Sequence, residues 1–233
     1  MLSTIPEALR VGGLTPLTSV DFPGALAAVI YCRGCPWRCA YCHNGHLLRH
    51  ADAVDGPDWP SIMAFLESRR GLLDGVVFSG GEPTVQVALA AAVAEVRALG
   101  FRVGLHTGGA YPQRLQSLLP RLDWVGLDIK ALPEDYPRVT GVRASGERAW
   151  QSLRLLLAAD VALEVRTTPM PGLDDDAYLE ALMGRLAEAG VTDYALQQCQ
   201  PHHLLHPAIR SQIRSLPSTL GAAMFERFEI RAA

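Results

Sequence analysis

The feature of this sequence that most constrains its fold is a group of three cysteines directly after a continuous apolar run. Residues 25–31 are apolar throughout, which is typical of a strand buried on both faces of a sheet. Cys35, Cys39 and Cys42 follow with the spacing C-x3-C-x2-C, and thiolates in one loop are ligands for zinc or for iron–sulfur clusters. The sequence therefore predicts a buried strand whose end carries a metal-binding loop.

The cysteine spacing leaves two kinds of metal centre open. A four-iron cluster held by three thiolates has one iron without a protein ligand, and an open position on a metal is where chemistry can occur. A structural zinc site would need a fourth ligand, for which His43 is the nearest candidate. The cysteine loop alone does not decide between an open cluster and a closed zinc site.

The composition is that of an ordinary globular chain that works in a reducing compartment. It has 233 residues, of which 49% are hydrophobic and 19% charged, so the chain can bury a large core and is not disordered. A net charge of -3 gives no sign of nucleic-acid binding, and five cysteines are a poor disulfide framework. Because we find neither a signal peptide nor an apolar run long enough to span a bilayer, we expect a cytoplasmic protein that does not bind membranes.

Strand patterns alternate with helical patterns over most of the chain. Strands are predicted at residues 75–79, 102–106, 124–129, 162–167 and 194–198, and helices at 89–99, 147–158 and 176–189. Such alternation indicates a parallel sheet with helical crossovers. About six units are too few for a closed eight-fold barrel, so we expect an α/β fold, a partial (β/α)6 open TIM-type barrel, with function at the carboxyl ends of its strands.

One domain is expected over the whole chain, because no linker or low-complexity segment interrupts it. We expect a short strand pair at residues 12–24, a core at residues 25–200 and a C-terminal extension at residues 201–233 with a last strand near 225–230. Cys32 and Cys199 lie near strand ends, and we interpret both as buried, inert thiols.

A polar group follows each of several predicted strands. These groups are Ser79-Gly80-Gly81-Glu82, His106-Thr107 and Asp128-Ile129-Lys130, and Arg166 lies within the strand at residues 162–167. Each group alone has a plain structural explanation, such as a turn or a buried ion pair. In a parallel sheet, however, all of them would meet the cysteine loop at one rim.

These motifs, in this order, resemble those of the radical S-adenosylmethionine (SAM) superfamily. The resemblance rests on the cysteine loop with Tyr41 before the last cysteine and on the Gly80-Gly81-Glu82 motif after the next strand. Within the superfamily the chain is most similar to activating enzymes of glycyl radical enzymes, over residues 18–24, 29–44, 78–83 and 126–130. Among these it most resembles the longer form of the activating proteins of anaerobic ribonucleoside-triphosphate reductase.

The resemblance implies a set of cofactor-binding residues. Cys35, Cys39 and Cys42 would hold one [4Fe-4S] cluster, and SAM would chelate the fourth iron. The SAM contacts would be Tyr41 and His43 at the adenine, Gly80, Gly81 and Glu82 at the methionine moiety, Asp128, Ile129 and Lys130 at the ribose or carboxylate, and Arg166 at the carboxylate, with Thr107 beside them.

The resemblance also implies the activity, that of an oxidoreductase that cleaves SAM with one electron and installs a glycyl radical on a partner protein. Anaerobic (class III) ribonucleotide reductase is the expected partner, and a flavodoxin or ferredoxin-type protein is the expected electron donor. The alternatives are a radical SAM enzyme for a small molecule, similar to 7-carboxy-7-deazaguanine synthase, and a non-enzymatic zinc module.

Two further sets of histidines bear on the site. Pyruvate formate-lyase activases resemble one another in an Asp-Thr pair that helps to hold a monovalent cation, and here His106 and Thr107 stand in that place. Because a neutral imidazole is a poorer ligand for a hard cation than a carboxylate, the sequence does not decide whether a cation binds here. His202 or His203 is a weaker candidate for contact with the cofactor, and we do not expect a second metal at these residues and His206.

Overall fold

The computed structural model describes residues 5–48, 56–202, 204–216, 221 and 223–232. In this part of the chain the strands form one sheet, in which they lie in the order of the sequence. The strands are β1 (Val11–Thr18), β2 (Ala27–Cys32), β3 (Gly75–Gly80), β4 (Arg102–Thr107), β5 (Trp124–Asp128), β6 (Ala162–Thr167), β7 (Asp193–Gln197) and β8 (Arg227–Arg231). β1 and β8 are the two edges and do not pair with each other, so the sheet is not closed.

All strands from β2 to β8 run parallel, and only β1 is antiparallel to its neighbour. Parallel neighbours need crossover connections, most of which contain helices here. The helices are α1 (Trp59–Glu67), α2 (Leu89–Ala98), α3 (Pro112–Leu118), α4 (Tyr136–Thr140), α5 (Ser145–Leu157) and α6 (Asp176–Glu188). The predicted fold class, an α/β open partial barrel, is confirmed.

The helices begin and end at residues that the sequence marks clearly. The side chain of Asp58 accepts a hydrogen bond from the Ser61 N–H at the start of α1, and Asp175 does the same for Tyr178 at the start of α6. Gly190 follows α6 with a φ of +96°, a conformation that favours glycine. These local signals explain why several helix ends could be predicted.

The two faces of the sheet bury different sets of residues. The helices cover one face, where Val76, Phe78 and Leu105 are fully buried. The opposite, concave face carries a smaller apolar group formed by Phe22, Ala25, Ala27, Val29, Val77 and Trp124. The rings of Phe22 and Trp124 stack with centroids 5.8 Å apart, so the turn after β1 fills part of the barrel interior.

The strand pair expected at residues 12–24 is wrong. A single strand, β1, pairs with β2, and the residues that follow it form the turn between them. Pro16 does not end β1 because this is an edge strand, in which a proline does not interrupt the sheet. The register between the two strands shifts between Thr15 and Thr18, where the edge is irregular.

The other predicted strands and helices form with ends within about two residues of those expected. The last predicted strand is β8, so the C-terminal extension contributes to the same sheet. Helices α1, α3 and α4 were not predicted, because they have only 9, 7 and 5 residues and show no sustained helical period. None of the helices in the described part of the chain has the length and apolar character needed to cross a bilayer.

Candidate active site

An open cavity of about 470 Å³ lies at the carboxyl ends of the parallel strands. Its wall includes all three cysteines of the C-x3-C-x2-C loop. The remaining lining residues are Asp21, Tyr31, Trp37, Tyr41, His43, Asn44, Leu48, Ser79, Gly80, Gly81, Glu82, His106, Thr107, Gly108, Asp128, Lys130, Arg166, Thr168 and Gln197. The fold thus brings together side chains that are up to 176 residues apart in the sequence, as expected for this end of a parallel sheet.

The part of the cysteine loop between Cys35 and Cys39 is held in place by hydrogen bonds that Arg38 makes to α4 and to the loop itself. The Arg38 backbone N–H donates to the Thr140 carbonyl at the end of α4 (2.9 Å), and its guanidinium donates to the carbonyls of Cys35 and Trp37 (both 2.7 Å). The Trp37 ring is 3% exposed and meets the Tyr136 ring edge to face, with centroids 5.9 Å apart. These contacts fix the chain between the first two cysteines.

The loop thiols are free and lie in a poorly hydrated environment. Burial raises the pKa of Cys35 to about 12 and also raises the pKa of Cys39, while the Lys130 ammonium opposes both shifts. A metal must therefore displace thiol protons when it binds. Cys32 and Cys199 are buried as expected and do not line the cavity.

Gly80 and Gly81 allow the end of β3 to pack directly against the cysteine loop. Gly80 has a φ of +110°, and a Cβ at Gly81 would lie 2.4 Å from the Gly34 carbonyl oxygen. The Gly81 N–H donates to the Cys32 carbonyl (2.9 Å), and the Glu82 N–H donates to the Gly34 carbonyl (2.8 Å). The packing of β3 against the cysteine loop therefore explains why residues 80 and 81 are glycines, whether or not a ligand binds nearby.

Glu82 is a buried carboxylate that accepts several hydrogen bonds. Its Oε1 accepts from the N–H and hydroxyl of Thr84 and from the Thr107 hydroxyl (2.7 Å), whereas Oε2 accepts only from the Gly108 N–H (2.9 Å). Burial raises the pKa of Glu82, and these hydrogen bonds oppose the shift. No lysine or arginine of the described residues forms an ion pair with it, so Oε2 has room for a cationic donor.

Asp128, Lys130 and Arg166 form an ion group on the opposite wall. An Arg166 nitrogen lies 2.9 Å from Asp128 Oδ1, and Lys130 Nζ lies 3.4 Å from Asp128 Oδ2. Burial alone would raise the pKa of Asp128, but Arg166 and then Lys130 lower it to about 2. With two cations around one carboxylate, this wall carries a net positive charge that suits an anionic group.

His106 lies beside this ion group as a neutral imidazole. Burial and the nearby Arg166 guanidinium lower its pKa to about 3. Its Nε2 lies 2.9 Å from the Asp21 carbonyl oxygen and its Nδ1 3.4 Å from Ser79 Oγ, which assigns the proton to Nε2. Arg166 and Lys130 balance the negative charge of Asp128 beside this ring.

All predicted cofactor contacts line the cavity except Ile129. The Ile129 side chain is fully buried in the core, its N–H donates to the Arg166 carbonyl, and its carbonyl accepts from the Thr167 hydroxyl. Among the weaker candidates, His202 does not line the cavity, and His203 lies outside the described residues.

Several lining residues were not among the predicted contacts, and three of these lie at strand ends. Tyr31 and Gln197 lie at the carboxyl ends of β2 and β7, and Thr168 directly follows β6. Their position at the carboxyl ends of predicted strands was the signal that could have found them, because the predicted groups at Glu82, Thr107 and Asp128 share it.

Comparison with known proteins identifies the family. The family model described as the radical SAM superfamily matches residues 29–183, about two thirds of the chain. The chain belongs to the radical SAM superfamily. It is 29% identical over 199 residues to a protein of Methanocaldococcus jannaschii named as a glycyl-radical enzyme activating enzyme, covering 82% of this chain and 80% of that protein. It is 28% identical over 174 residues to the pyruvate formate-lyase-activating enzyme of Clostridium pasteurianum, covering 71% of each.

Solved structures of other proteins share the fold of this chain. The Streptococcus suis protein SuiB, in complex with the precursor peptide SuiA, aligns with a TM-score of 0.65 at 13% identity, covering 87% of this chain and 48% of SuiB. This chain therefore spans about half the length of SuiB. QueE from Escherichia coli aligns with a TM-score of 0.56 at 22% identity, covering 81% of this chain and 83% of that one. The predicted homology to activating enzymes is confirmed by sequence, and these structures confirm the architecture.

The family implies a [4Fe-4S] cluster and SAM, and the residues present fit both. No three His, Cys, Asp or Glu side chains of the described residues converge on one metal ion, and the His43 ring is bonded to the Gln200 carbonyl (3.1 Å). A cluster, unlike a zinc ion, spreads its thiolates over different irons. The free acceptor on Glu82 fits an ammonium, and the ion group fits a carboxylate. The buried Tyr41 hydroxyl has no hydrogen-bond partner among the described residues, which leaves it free for a polar ligand.

Proposed function

We propose that this protein is a radical SAM activase that generates a glycyl radical on a partner enzyme, anaerobic ribonucleoside-triphosphate reductase. The observation that carries the proposal is the meeting, in one cavity, of three free thiols, a buried carboxylate without a cationic partner and a net positive ion group. The similarity to activating enzymes over most of the chain supports the choice of a protein substrate.

The cysteine loop would hold the cluster. Cys35, Cys39 and Cys42 supply three thiolates, and the other two cysteines, Cys32 and Cys199, do not line the cavity. One iron is then left for the cofactor, as an open site requires. When bound, the cluster and SAM would supply one-electron reductive chemistry and, through it, the capacity to remove a hydrogen atom from glycine.

The other walls of the cavity would position SAM. Glu82 Oε2, which accepts from the Gly108 N–H, would also accept a hydrogen bond from the ammonium group. Lys130 and Arg166, held in place by Asp128, would bind the carboxylate or ribose end. Tyr41 and His43 lie on the cysteine loop at the side where the adenine would bind.

The cavity wall also limits what a reactive radical could meet. Trp37 and Tyr41 are 3% and 5% exposed, and they close the wall behind the loop with apolar surface. Such a wall would help to hold the reacting groups in one arrangement, which is the part of radical chemistry that the protein performs.

The decisive experiment supplies the proposed partner. Anaerobically reconstituted protein, reduced with dithionite and mixed with SAM and a class III ribonucleotide reductase, is expected to give a protein-centred doublet in electron paramagnetic resonance. Cleavage of SAM without this doublet would count against the activase and favour a small-molecule substrate. A colourless protein that binds one zinc ion would refute the radical chemistry altogether.

Two matched cysteine variants distinguish the loss of a cluster ligand from a general effect on the folded protein. Cys39→Ala is expected to abolish both the absorbance near 400 nm and SAM cleavage, because it removes a proposed cluster ligand. Cys199→Ala removes a buried thiol outside the cavity and is expected to leave both unchanged. Replacing dithionite with a flavodoxin or a ferredoxin in the same assay identifies the electron donor.

A further inference from the structure

Tyr136, the first residue of α4, has a hydroxyl that accepts a hydrogen bond from the Lys130 N–H (2.9 Å). The Tyr136 side chain is fully buried and does not line the cavity, whereas Lys130 does. A residue in this position can affect a ligand in the cavity only through the groups that it contacts.

Helix α4 also contacts the cysteine loop, and it does so at both of its ends. The Tyr136 ring meets the Trp37 ring edge to face, with centroids 5.9 Å apart, and the Thr140 carbonyl accepts from the Arg38 N–H (2.9 Å). The Thr140 hydroxyl donates to the Tyr136 carbonyl (2.9 Å), which joins the two ends of the helix. Tyr136 therefore lies between the cysteine loop and Lys130 and contacts both.

The Lys130 ammonium has two neighbours on the cavity wall. Its Nζ lies 3.4 Å from Asp128 Oδ2 and 5.7 Å from the centroid of the Tyr41 ring. The distance to Asp128 is longer than that of a strong charged hydrogen bond, which is about 2.7–2.9 Å. We therefore expect the backbone position of Lys130 to decide where the ammonium lies.

Two tyrosine hydroxyls hold the backbone that follows β5. Tyr136 accepts from the Lys130 N–H, and Tyr178 of α6 accepts from the Leu132 N–H (3.0 Å). Ile129, which precedes Lys130, is bonded to β6 through its N–H and its carbonyl. The two hydroxyls thus make the same kind of contact two residues apart, but only that of Tyr136 reaches a residue that lines the cavity.

We propose that Tyr136 is a positioning residue that fixes the Lys130 ammonium relative to the cysteine loop. Its hydroxyl bonds the backbone of Lys130 and its ring packs on Trp37, so it sets the separation of the two walls between which SAM would bind. The inference rests on the proposed function, because it takes Lys130 as a group that binds the carboxylate of SAM.

The test compares the affinities of two ligands for the reconstituted protein by calorimetry. SAM carries the carboxylate, whereas 5′-methylthioadenosine has the same nucleoside and sulfur without the amino-acid part. Tyr136→Phe removes the hydroxyl and retains the ring that packs on Trp37. It is expected to weaken SAM binding about three- to tenfold, as for the loss of one hydrogen bond, and to leave the affinity for 5′-methylthioadenosine unchanged.

Tyr178→Phe is the matched control, because it removes the hydroxyl that bonds the Leu132 N–H. It is expected to bind both ligands like the unmodified chain. An equal loss of affinity for both ligands in Tyr136→Phe would show a general structural effect and overturn the proposal. Unchanged SAM affinity in Tyr136→Phe, or the same loss in Tyr178→Phe, would also overturn it.

Hydrogen exchange of the Lys130 amide in the metal-free protein, followed by nuclear magnetic resonance, is a second test that needs no ligand. If the unmodified chain binds no SAM, the proposed function fails and this measurement decides the inference. The Lys130 amide must exchange faster in Tyr136→Phe than in the unmodified chain, and no faster in Tyr178→Phe. If Tyr136→Phe does not fold, exchange of this amide in the unmodified chain at the rate of an unstructured peptide would exclude the contact. Because neither test uses a partner protein, failure of the activase assay leaves both intact.

Discussion

Gly81 provides the sharpest test of how the cavity is built. Its backbone does not need a positive φ, so alanine can adopt its conformation and any effect is steric. A Cβ would lie 2.4 Å from the Gly34 carbonyl oxygen and 2.9 Å from its carbon, whereas ordinary contacts begin near 3.4 Å. Gly81→Ala must therefore move the start of the cysteine loop away from β3 by about 1 Å.

The expected cost follows from the contacts that this movement disturbs. Overpacking against a rigid backbone costs about 1–3 kcal/mol. The displacement also weakens the hydrogen bonds from the Gly81 and Glu82 N–H groups to the carbonyls of Cys32 and Gly34, each with a net value of about 0.5–1.5 kcal/mol. We expect Gly81→Ala to lower the free energy of unfolding by about 2–4 kcal/mol, a large part of the stability of a typical domain.

Urea denaturation of the metal-free protein measures this loss, and iron content after reconstitution measures its effect on the loop that follows Gly34. Gly184→Ala is the matched control, because Gly184 lies within α6 and nothing is within 4 Å of the added Cβ. The control should gain about 0.4–1 kcal/mol from its helical position. If Gly81→Ala unfolds like the unmodified chain and takes up the same iron, the tight packing of β3 on the loop is refuted.

Further outcomes follow from the charged walls of the cavity. Arg166→Met should destabilise the protein by about 1–2 kcal/mol at pH 7. The lowering of the Asp128 pKa from 3.8 to about 2 corresponds to about 2.5 kcal/mol. Solvent screening reduces this value, because the Asp128 side chain is 35% exposed. In denaturation experiments at decreasing pH, the difference in stability between the unmodified chain and Arg166→Met should fall by about half by pH 3, because Asp128 becomes protonated. A stability difference that does not change with pH would contradict this role of Arg166. Thr107→Val removes a donor to Glu82 and should weaken SAM binding in calorimetry, and unchanged affinity would exclude this role. Because the pKa of His106 is lowered to about 3, His106→Gln should leave the pH dependence of SAM affinity between pH 5 and 8 unchanged, and a changed pH dependence would contradict a neutral ring.

Much of the fold could be predicted because its signals are local. The apolar runs of β2 to β7 and the glycines after α2 and α6 mark these elements within the sequence itself. The turn containing Phe22 was misassigned as a strand, since its role is to pack on Trp124, which is about 100 residues away. Helix α4 has only five residues, too few for a period to show.

The sequence predicted which residues form the candidate site, and it did not predict how their side chains are arranged. That polar groups follow successive strands was enough to place nearly all of them on one rim. Ile129 was assigned to the same rim and lies instead in the core, because the chain turns inward after Asp128 and both of its backbone groups are bonded. The direction of a side chain at the end of a strand depends on its tertiary contacts, which the sequence does not show.

The spacing of the three cysteines, the order of strands and helices and the family are properties of the sequence by itself, because each depends on residues that are close along the chain. The hydrogen-bond partners of Glu82, the charge balance around Asp128 and the backbone hydrogen bond from Leu205 to Cys42 were decided by the tertiary structure alone. Each of these depends on groups from different strands, and only the folded sheet sets the distances between them.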